Sequence, residues 1–176
     1  MSDIMTFRIV IKLPADRTQE GILVLYRDDL TVSVMRCLGK ADNQRAAEAG
    51  NPHRDPILPY GDTPLGAYAP ASLEILNPPH PRMGSYVIPL TGIGGDAKAA
   101  MAARAGLAIH AGRGDERLVP TYGCVRLLDR DIEGLRLHLD GARIDAIEIV
   151  PLIMQGISKI PHAIGSGTPD HSSGVA

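Results

Sequence analysis

The pairing of one cysteine with one upstream histidine is the feature of this sequence best suited to chemistry. His110 ends an apolar run, and Cys124 follows fourteen residues later, directly after a glycine. A thiol is only slightly ionised at neutral pH, and a nearby protonated histidine lowers its pKa and maintains the reactive thiolate. The two residues therefore suit a nucleophile and its base in acyl transfer.

The residues beside Cys124 extend the chemistry that its thiol could do. Gly123 has no side chain, so backbone N–H groups can crowd toward the oxyanion that forms when a carbonyl is attacked. Arg126 would leave a strand on the same face as Cys124, because side chains two residues apart point the same way. Its guanidinium could bind a substrate carboxylate. Alternatively, it could turn inward and pair with Asp129 or Asp131.

Short strands and two late helices must position these residues. Apolar and β-branched runs predict strands over residues 7–13, 21–26, 30–37, 86–90, 106–110 and 144–150. Helices are predicted over 96–104 and 129–139, and one or two helical turns over 44–49. The proline-rich segment 77–81 is predicted to be a loop. The fold is therefore predicted to be mainly β, a β-sandwich or partly closed barrel with one or two helices.

Composition excludes several classes of function. Net charge is −2 without a basic stripe, and aromatic residues make up only 3%, so a nucleic-acid surface is not expected. Cys37 and Cys124 are not spaced as a metal pair, and Cys37 lies in an alternating run that favours a buried core thiol. We expect neither a metal nor another cofactor. No apolar run is long enough to span a bilayer, and no signal peptide is visible.

The segment around Cys124 resembles the catalytic domain of the L,D-transpeptidases, the YkuD-type domain. That family carries a His-Gly pattern at a strand end, followed by a Ser/Thr-His-Gly-Cys-hydrophobic-Arg/Asn pattern. The pattern is matched here by His110 and by Thr121, Gly123, Cys124, Val125 and Arg126. Residues 62–68 resemble the Thr-Pro-x-Gly-x-aromatic turn of the family, residues 21–37 its opening hairpin, and residues 144–150 its closing strand. The resemblance covers roughly residues 7–150.

The resemblance assigns roles to individual residues. It implies that Cys124 is the nucleophile, with His110 as its base and the backbone carbonyl of Ala111 as the group that orients the base. The backbone N–H groups of Tyr122, Gly123 and Cys124 are expected to form the oxyanion hole. Substrate binding is assigned to a further set of three side chains: Arg126, Thr121 and Tyr86.

The sequence departs from the family pattern at two positions. Tyr122 stands where the family usually has His, and Ala111 stands where it often has Gly or Ser. Tyr122 still has a backbone N–H for the oxyanion hole, and Ala111 still has a backbone carbonyl to orient the base. If the family histidine acts through its side chain, however, the reactivity of the thiol is altered by Tyr122.

The implied function is acyl transfer on peptidoglycan stem peptides, by transpeptidation, carboxypeptidase-type hydrolysis or both, through a thioester on Cys124. Residues 1–160 are predicted to form the catalytic domain and 161–176 a disordered tail. The expected location is the periplasm or cell wall. A housekeeping enzyme and a delivered antibacterial effector with an immunity or secretion-system partner both stay open. The alternative is a non-catalytic module that binds peptidoglycan peptides and retains only the fold.

Overall fold

A computed structural model describes residues 5–114 and 116–153 of the chain. The predicted tail at 161–176 lies outside the described residues. Twelve elements occur in the described residues, in the order β1 (Thr6–Leu13), β2 (Gly21–Arg27), β3 (Leu30–Cys37), α1 (Asn43–Glu48), β4 (Gly66–Tyr68), β5 (Glu74–His80), β6 (Gly84–Pro89), α2 (Gly95–Ala100), β7 (Ala108–His110), β8 (Val125–Arg126), α3 (Asp129–Leu139) and β9 (Arg143–Pro151).

The strands form two mixed sheets. The first has the order β3-β2-β1-β9-β4, in which the neighbours β1 and β9 are parallel and the other pairs are antiparallel. The second has the order β5-β6-β7-β8, and its last pair is parallel. The prediction of a mainly β fold is confirmed, but the described strands do not close into a barrel and are accompanied by three short helices rather than one or two.

Both sheets and α3 contribute to one hydrophobic core. Ile9 and Leu23 of the first sheet, Ile109 of the second and Leu135 of α3 belong to the same buried cluster and are fully shielded from solvent. Burying each such side chain contributes about 1.5–3 kcal/mol relative to exposure. The core thus fixes the second sheet, which carries the predicted site, against the rest of the molecule.

The hairpin of β2 and β3 has the turn that its sequence predicts. Asp28 and Asp29 both adopt positive φ, 50° and 62°, between the paired residues Arg27 and Leu30. A two-residue loop with both φ values positive matches the right-handed twist of the flanking strands, and aspartate tolerates that conformation better than most residues.

Two local predictions were wrong. The segment 77–81 was expected to be a loop, but β5 continues through its prolines to His80 as an edge strand, where a missing N–H donor is tolerated. The helix expected over 96–104 is α2 and ends at Ala100, after which turns lead to the buried Arg104. In contrast, α3 spans the predicted residues and buries Ile132, Leu135 and Leu139.

Candidate active site

The short parallel pair β7 and β8 brings His110 and Cys124 to one side of the second sheet. Its register sets Ile109 beside Val125 and His110 beside Arg126. Cys124 directly precedes β8, and its side chain leaves the backbone on the same face as that of Arg126. His110 and Cys124 both line a cavity of about 890 Å³, which we call the cysteine cavity.

His110 is held in one orientation and is neutral at neutral pH. Its Nδ1 lies 2.8 Å from the carbonyl oxygen of Ala111, so Nδ1–H donates to that oxygen and Nε2 is left as the basic atom. Burial lowers the pKa of His110 to about 4; the bond to Ala111 opposes this shift, and the charge of Arg126 adds to it. The side chain is only 4% exposed, so the imidazolium would lose most of its hydration.

The thiol of Cys124 is buried and protonated at neutral pH. Burial raises its pKa, against a hydrogen bond with the backbone of Ala108 and the positive charge of Arg104, which both lower it. Sγ lies 3.8 Å from the carbonyl oxygen of Gly106. Within the described residues, no hydrogen bond joins this thiol to His110. The expected thiolate paired with a protonated histidine is therefore replaced by a neutral pair that shares the cysteine cavity.

The turn before Cys124 is fixed by two threonine hydroxyls. Thr121 Oγ1 accepts from the Gly123 N–H at 3.0 Å and donates to the Cys124 carbonyl at 3.0 Å. Thr63 Oγ1 lies 2.9 Å from the Gly123 carbonyl. The hydroxyl of Thr121, predicted to bind substrate, is thus used inside the turn. The Gly123 N–H, predicted to serve the oxyanion hole, is engaged by that hydroxyl in this conformation.

Arg104 is a residue of this site that the sequence did not reveal. It is 7% exposed, lines the cysteine cavity and donates to backbone carbonyls of Pro56, Gly61, Asp62 and Tyr122. A guanidinium that donates to several carbonyls keeps its charge while buried, although burial lowers its pKa. No local pattern distinguished this arginine from an exposed one after an alanine-rich helix.

Gly123 is required where Arg104 passes over the turn. A Cβ on this residue would lie 1.8 Å from Arg104 Nη2 and 2.4 Å from the Gly61 carbonyl oxygen, and its φ is +108°. Any other residue would be strained by that φ and would clash with the buried guanidinium. Gly123 therefore makes room for the guanidinium of Arg104, a role that differs from the expected crowding of backbone N–H groups.

Arg126 lines the cysteine cavity, but its guanidinium is bound to the protein. It is 3% exposed and donates to the backbone carbonyls of Arg82, at 3.2 Å, and Gly112. The carboxylate of Asp129 instead accepts from the Gly112 N–H at 2.6 Å. Arg126 thus joins the β5–β6 turn to the segment after His110, an arrangement that neither sequence-based alternative described.

Tyr122 belongs to a cluster at the mouth of the cysteine cavity. We call its members the arginine–tyrosine rim: Arg45, Tyr60, Arg82 and Tyr122. The Tyr122 ring is 43% exposed, meets the Tyr60 ring edge-on at 5.5 Å and lies under the Arg82 guanidinium, 4.9 Å away, while its hydroxyl contacts Arg82 Nη1. Tyr122 stands where the resembled family usually has a histidine, and its side chain contacts the other rim residues Tyr60 and Arg82.

Tyr86, predicted to bind substrate, lies away from the cysteine cavity. Successive side chains of β6 alternate between faces: Val87 packs with Cys124, whereas Tyr86 lies beneath Arg136 of α3, 5.8 Å from ring centre to guanidinium. Tyr86 lines a separate, smaller pocket with Ile132. The structure thus does not bring Tyr86 together with Cys124 in the cysteine cavity, and its substrate-binding role stays a prediction.

In the described part of the chain, no three His, Cys, Asp or Glu side chains are grouped so as to hold a metal ion. None of the helices in residues 5–114 and 116–153 is both long and apolar enough to cross a membrane.

Together, the fold and the site define a mainly β protein with a buried cysteine and an oriented histidine in one cavity. No protein-family model and no curated protein matches the sequence. Several solved structures share its fold, among them the following two. Bd1075 of Bdellovibrio bacteriovorus has a TM-score of 0.54 at 13% sequence identity, over 88% of this chain and 52% of that one. The helical cell shape determining protein Pgp2 from Campylobacter jejuni has a TM-score of 0.54 at 12% identity, over 85% and 49% of the two chains.

The chain therefore spans about half the length of the solved structures that it matches. At 12–13% identity the likeness shows the fold alone.

Proposed function

We propose that this chain is a cysteine acyltransferase that acts on peptidoglycan stem peptides as an L,D-transpeptidase, an L,D-carboxypeptidase or both. The observation that carries the proposal is the orientation of His110 by the Ala111 carbonyl, which leaves Nε2 as the basic atom of a side chain that lines the same cavity as Cys124. The resemblance of the cysteine segment to the L,D-transpeptidases supports the same chemistry. One of the two fold relatives determines cell shape, a property of the bacterial peptidoglycan wall.

The first half of the reaction begins with a neutral thiol and a neutral imidazole. His110 Nε2 takes the proton of Cys124 Sγ as the sulfur attacks the carbonyl carbon of the scissile amide. The tetrahedral oxyanion is stabilised by the N–H groups of Cys124 and Tyr122, because Thr121 engages that of Gly123. Collapse breaks the C–N bond, and the proton on His110 passes to the leaving amine, which yields the thioester.

The second half regenerates the thiol. An amine acceptor or a water molecule attacks the thioester while His110 Nε2 takes its proton, and the departing sulfur of Cys124 is reprotonated from His110. Amine attack gives transpeptidation, and water gives hydrolysis. Both use the same two side chains. The periplasm or cell wall is the corresponding location, since the proposed substrate lies there, and an immunity or secretion-system partner stays a prediction.

The test is acyl-enzyme capture. Incubation with a tetrapeptide stem, followed by intact-protein and peptide mass spectrometry, should show an adduct on Cys124 that the Cys124→Ala variant lacks. Cys37→Ala is the matched control: burial raises the pKa of Cys37 to about 12, so its removal should leave the adduct in place. An adduct on Cys37 would refute the assignment of the nucleophile.

A non-catalytic peptide-binding module is the second candidate, and the protonated, buried thiol of Cys124 favours it. In that case Cys124→Ala would bind the stem peptide as tightly as the wild type, and neither protein would form an adduct or release the terminal residue. Turnover by the wild type alone would exclude it.

A further inference from the structure

The arginines that line the cysteine cavity differ in what their guanidinium groups contact. Arg104 and Arg126 are buried and donate to backbone carbonyls, so their donors serve the fold of the protein. Arg45 and Arg82 of the arginine–tyrosine rim are exposed and lie against tyrosine rings. Arg113 also lines the cavity and is exposed. An anionic ligand that enters the cavity therefore meets the exposed arginines before the two buried ones.

The rim holds its two cations around one aromatic platform. The Arg45 guanidinium lies 4.7 Å from the centre of the Tyr60 ring and 5.8 Å from that of Tyr122, on which Arg82 also rests. Arg45 donates to the Tyr60 hydroxyl at 3.2 Å. One N–H of each guanidinium is used by a tyrosine hydroxyl, Tyr60 for Arg45 and Tyr122 for Arg82. A guanidinium has five N–H donors, so others are left that can bind the oxygens of a carboxylate.

The acidic groups beside the rim do not neutralise it. Glu48 lies 3.6 Å from Arg45 in a solvent-exposed pair, and such pairs are weak because water screens them. Asp42 is the N-cap of α1 and accepts from the backbone N–H of Arg45. A ligand carboxylate can therefore displace Glu48 from Arg45 at little cost.

We propose that the arginine–tyrosine rim is a carboxylate-binding subsite for the peptide substrate, built from Arg45 and Arg82 across Tyr122. The inference rests on the proposed function and deepens it, because it assigns recognition of the substrate carboxylate to the rim instead of to Arg126. It also gives Tyr122 a role at the position where the resembled family usually has a histidine: its ring orients both arginines.

Binding to the Cys124→Ala variant tests the subsite without chemistry. The probes are a synthetic tetrapeptide stem with free carboxylates and analogues in which one carboxylate at a time is an amide, titrated by calorimetry. The free acid should bind more tightly than one of the amides, and this preference should shrink at high salt. Adding Arg45→Gln or Arg82→Gln should weaken the acid about five-fold and leave that amide unchanged.

Two further variants sharpen the result. Arg136→Gln is the matched control, since Arg136 also stacks on a tyrosine but lies on α3, outside the cysteine cavity; it should change neither affinity. Glu48→Gln should tighten binding of the acid, because it removes the carboxylate that competes for Arg45. Equal losses for acid and amide, or no loss in either rim variant, would overturn the subsite.

The outcome is separable from that of the proposed function. A Cys124 adduct in the wild type without any acid preference leaves the acyltransferase standing and refutes the rim. An acid preference that the rim variants abolish, without any adduct, supports the rim and refutes the chemistry. Failure of every peptide to bind would overturn both.

Discussion

At the scale of single residues, burial sets the protonation states of His110 and Cys124. It lowers the pKa of His110 and raises that of Cys124, so both groups are neutral near pH 7. In the proposed reaction, the proton would therefore leave the thiol only as the carbonyl is attacked. The free thiol should accordingly alkylate slowly at neutral pH, contrary to the rapid labelling that a preformed thiolate would give.

The free energy of unfolding should depend on pH in the way that a buried, neutral His110 requires. Its pKa is about 4 in the folded state, against an ordinary 6.5, so the unfolded chain binds the proton more tightly. The free energy of unfolding is therefore unaffected by this group above pH 6.5 and falls as the pH drops toward 4. Between pH 7 and pH 4.5 the wild type should lose about 2–3 kcal/mol more than His110→Asn, as measured by urea denaturation.

The comparison is between pH dependences, so a constant cost of the substitution cancels. Other titrating groups are common to both proteins. If the free energies of unfolding of the wild type and His110→Asn changed with pH in parallel, His110 would be solvated and would protonate at its ordinary pKa. Such a result would contradict a base that burial keeps neutral.

Arg104 should tune the thiol of Cys124. Its charge opposes the effect of burial on the pKa of the thiol, so Arg104→Gln should raise that pKa further. The alkylation rate by iodoacetamide at pH 8 should fall about ten-fold, since the rate follows the thiolate fraction. Arg104→Lys should recover part of the rate, because the charge remains without the planar fork. The measurement is the alkylation rate as a function of pH.

Arg17→Gln provides the control for the general effect of losing an arginine that donates to a backbone carbonyl. Arg17 is half-buried and donates to the Thr63 carbonyl at 3.4 Å, but does not line the cysteine cavity. The Arg17→Gln substitution should leave the pH dependence of Cys124 alkylation unchanged. An equal shift in both variants would indicate a structural effect transmitted through Thr63 and not the charge of Arg104.

At the scale of elements, the turn 121–124 is the part of the site that depends most on a single residue. In Gly123→Ala the methyl group would meet Arg104 Nη2 at 1.8 Å and the backbone would retain a φ of +108°. The free energy of unfolding should fall by about 3 kcal/mol or more. Gly134→Ala on α3, where the added methyl meets open space, should raise it by about 0.5–1 kcal/mol. Chemical denaturation measures both, and similar values would show that Arg104 moves aside easily.

How far the sequence predicts an element depends on whether its signal is local. The apolar spacing of α3 and the acidic turn at Asp28–Asp29 are local, and both were predicted correctly. The end of α2 and the strand through Pro78 depend on tertiary contacts, which override the preference of the residues themselves.

The candidate site shows the same division. The order of His110 and Cys124 along the chain suggested a pair, and they do line one cavity. The set of partners around them comes from distant segments, such as Thr63 below the turn and Arg104 beside it. No periodicity in the sequence indicates which of many threonines or arginines lies there, and for the same reason it does not show that Tyr86 lies outside the cysteine cavity.

At the scale of the whole molecule, overall charge conceals a local field. The chain carries a net charge of −2, yet the described lining of the cysteine cavity holds more cationic side chains than anionic ones. Low-dielectric walls concentrate such a field and attract ligands of opposite sign. A small negative net charge is therefore compatible with the proposed binding of an anionic peptide in this cavity.

The order of strands in the first sheet bears on how the protein can be synthesised. β9, the last strand of the described chain, lies between β1 and β4 and pairs with both. Until it leaves the ribosome, the hairpins made earlier have no shared neighbour, and the apolar faces of β1 and β4 stay without a common sheet. The half of the core that β1, β9 and β4 build together can therefore close only after β9 has been synthesised, whereas the hairpin of β1 and β2 needs no later strand.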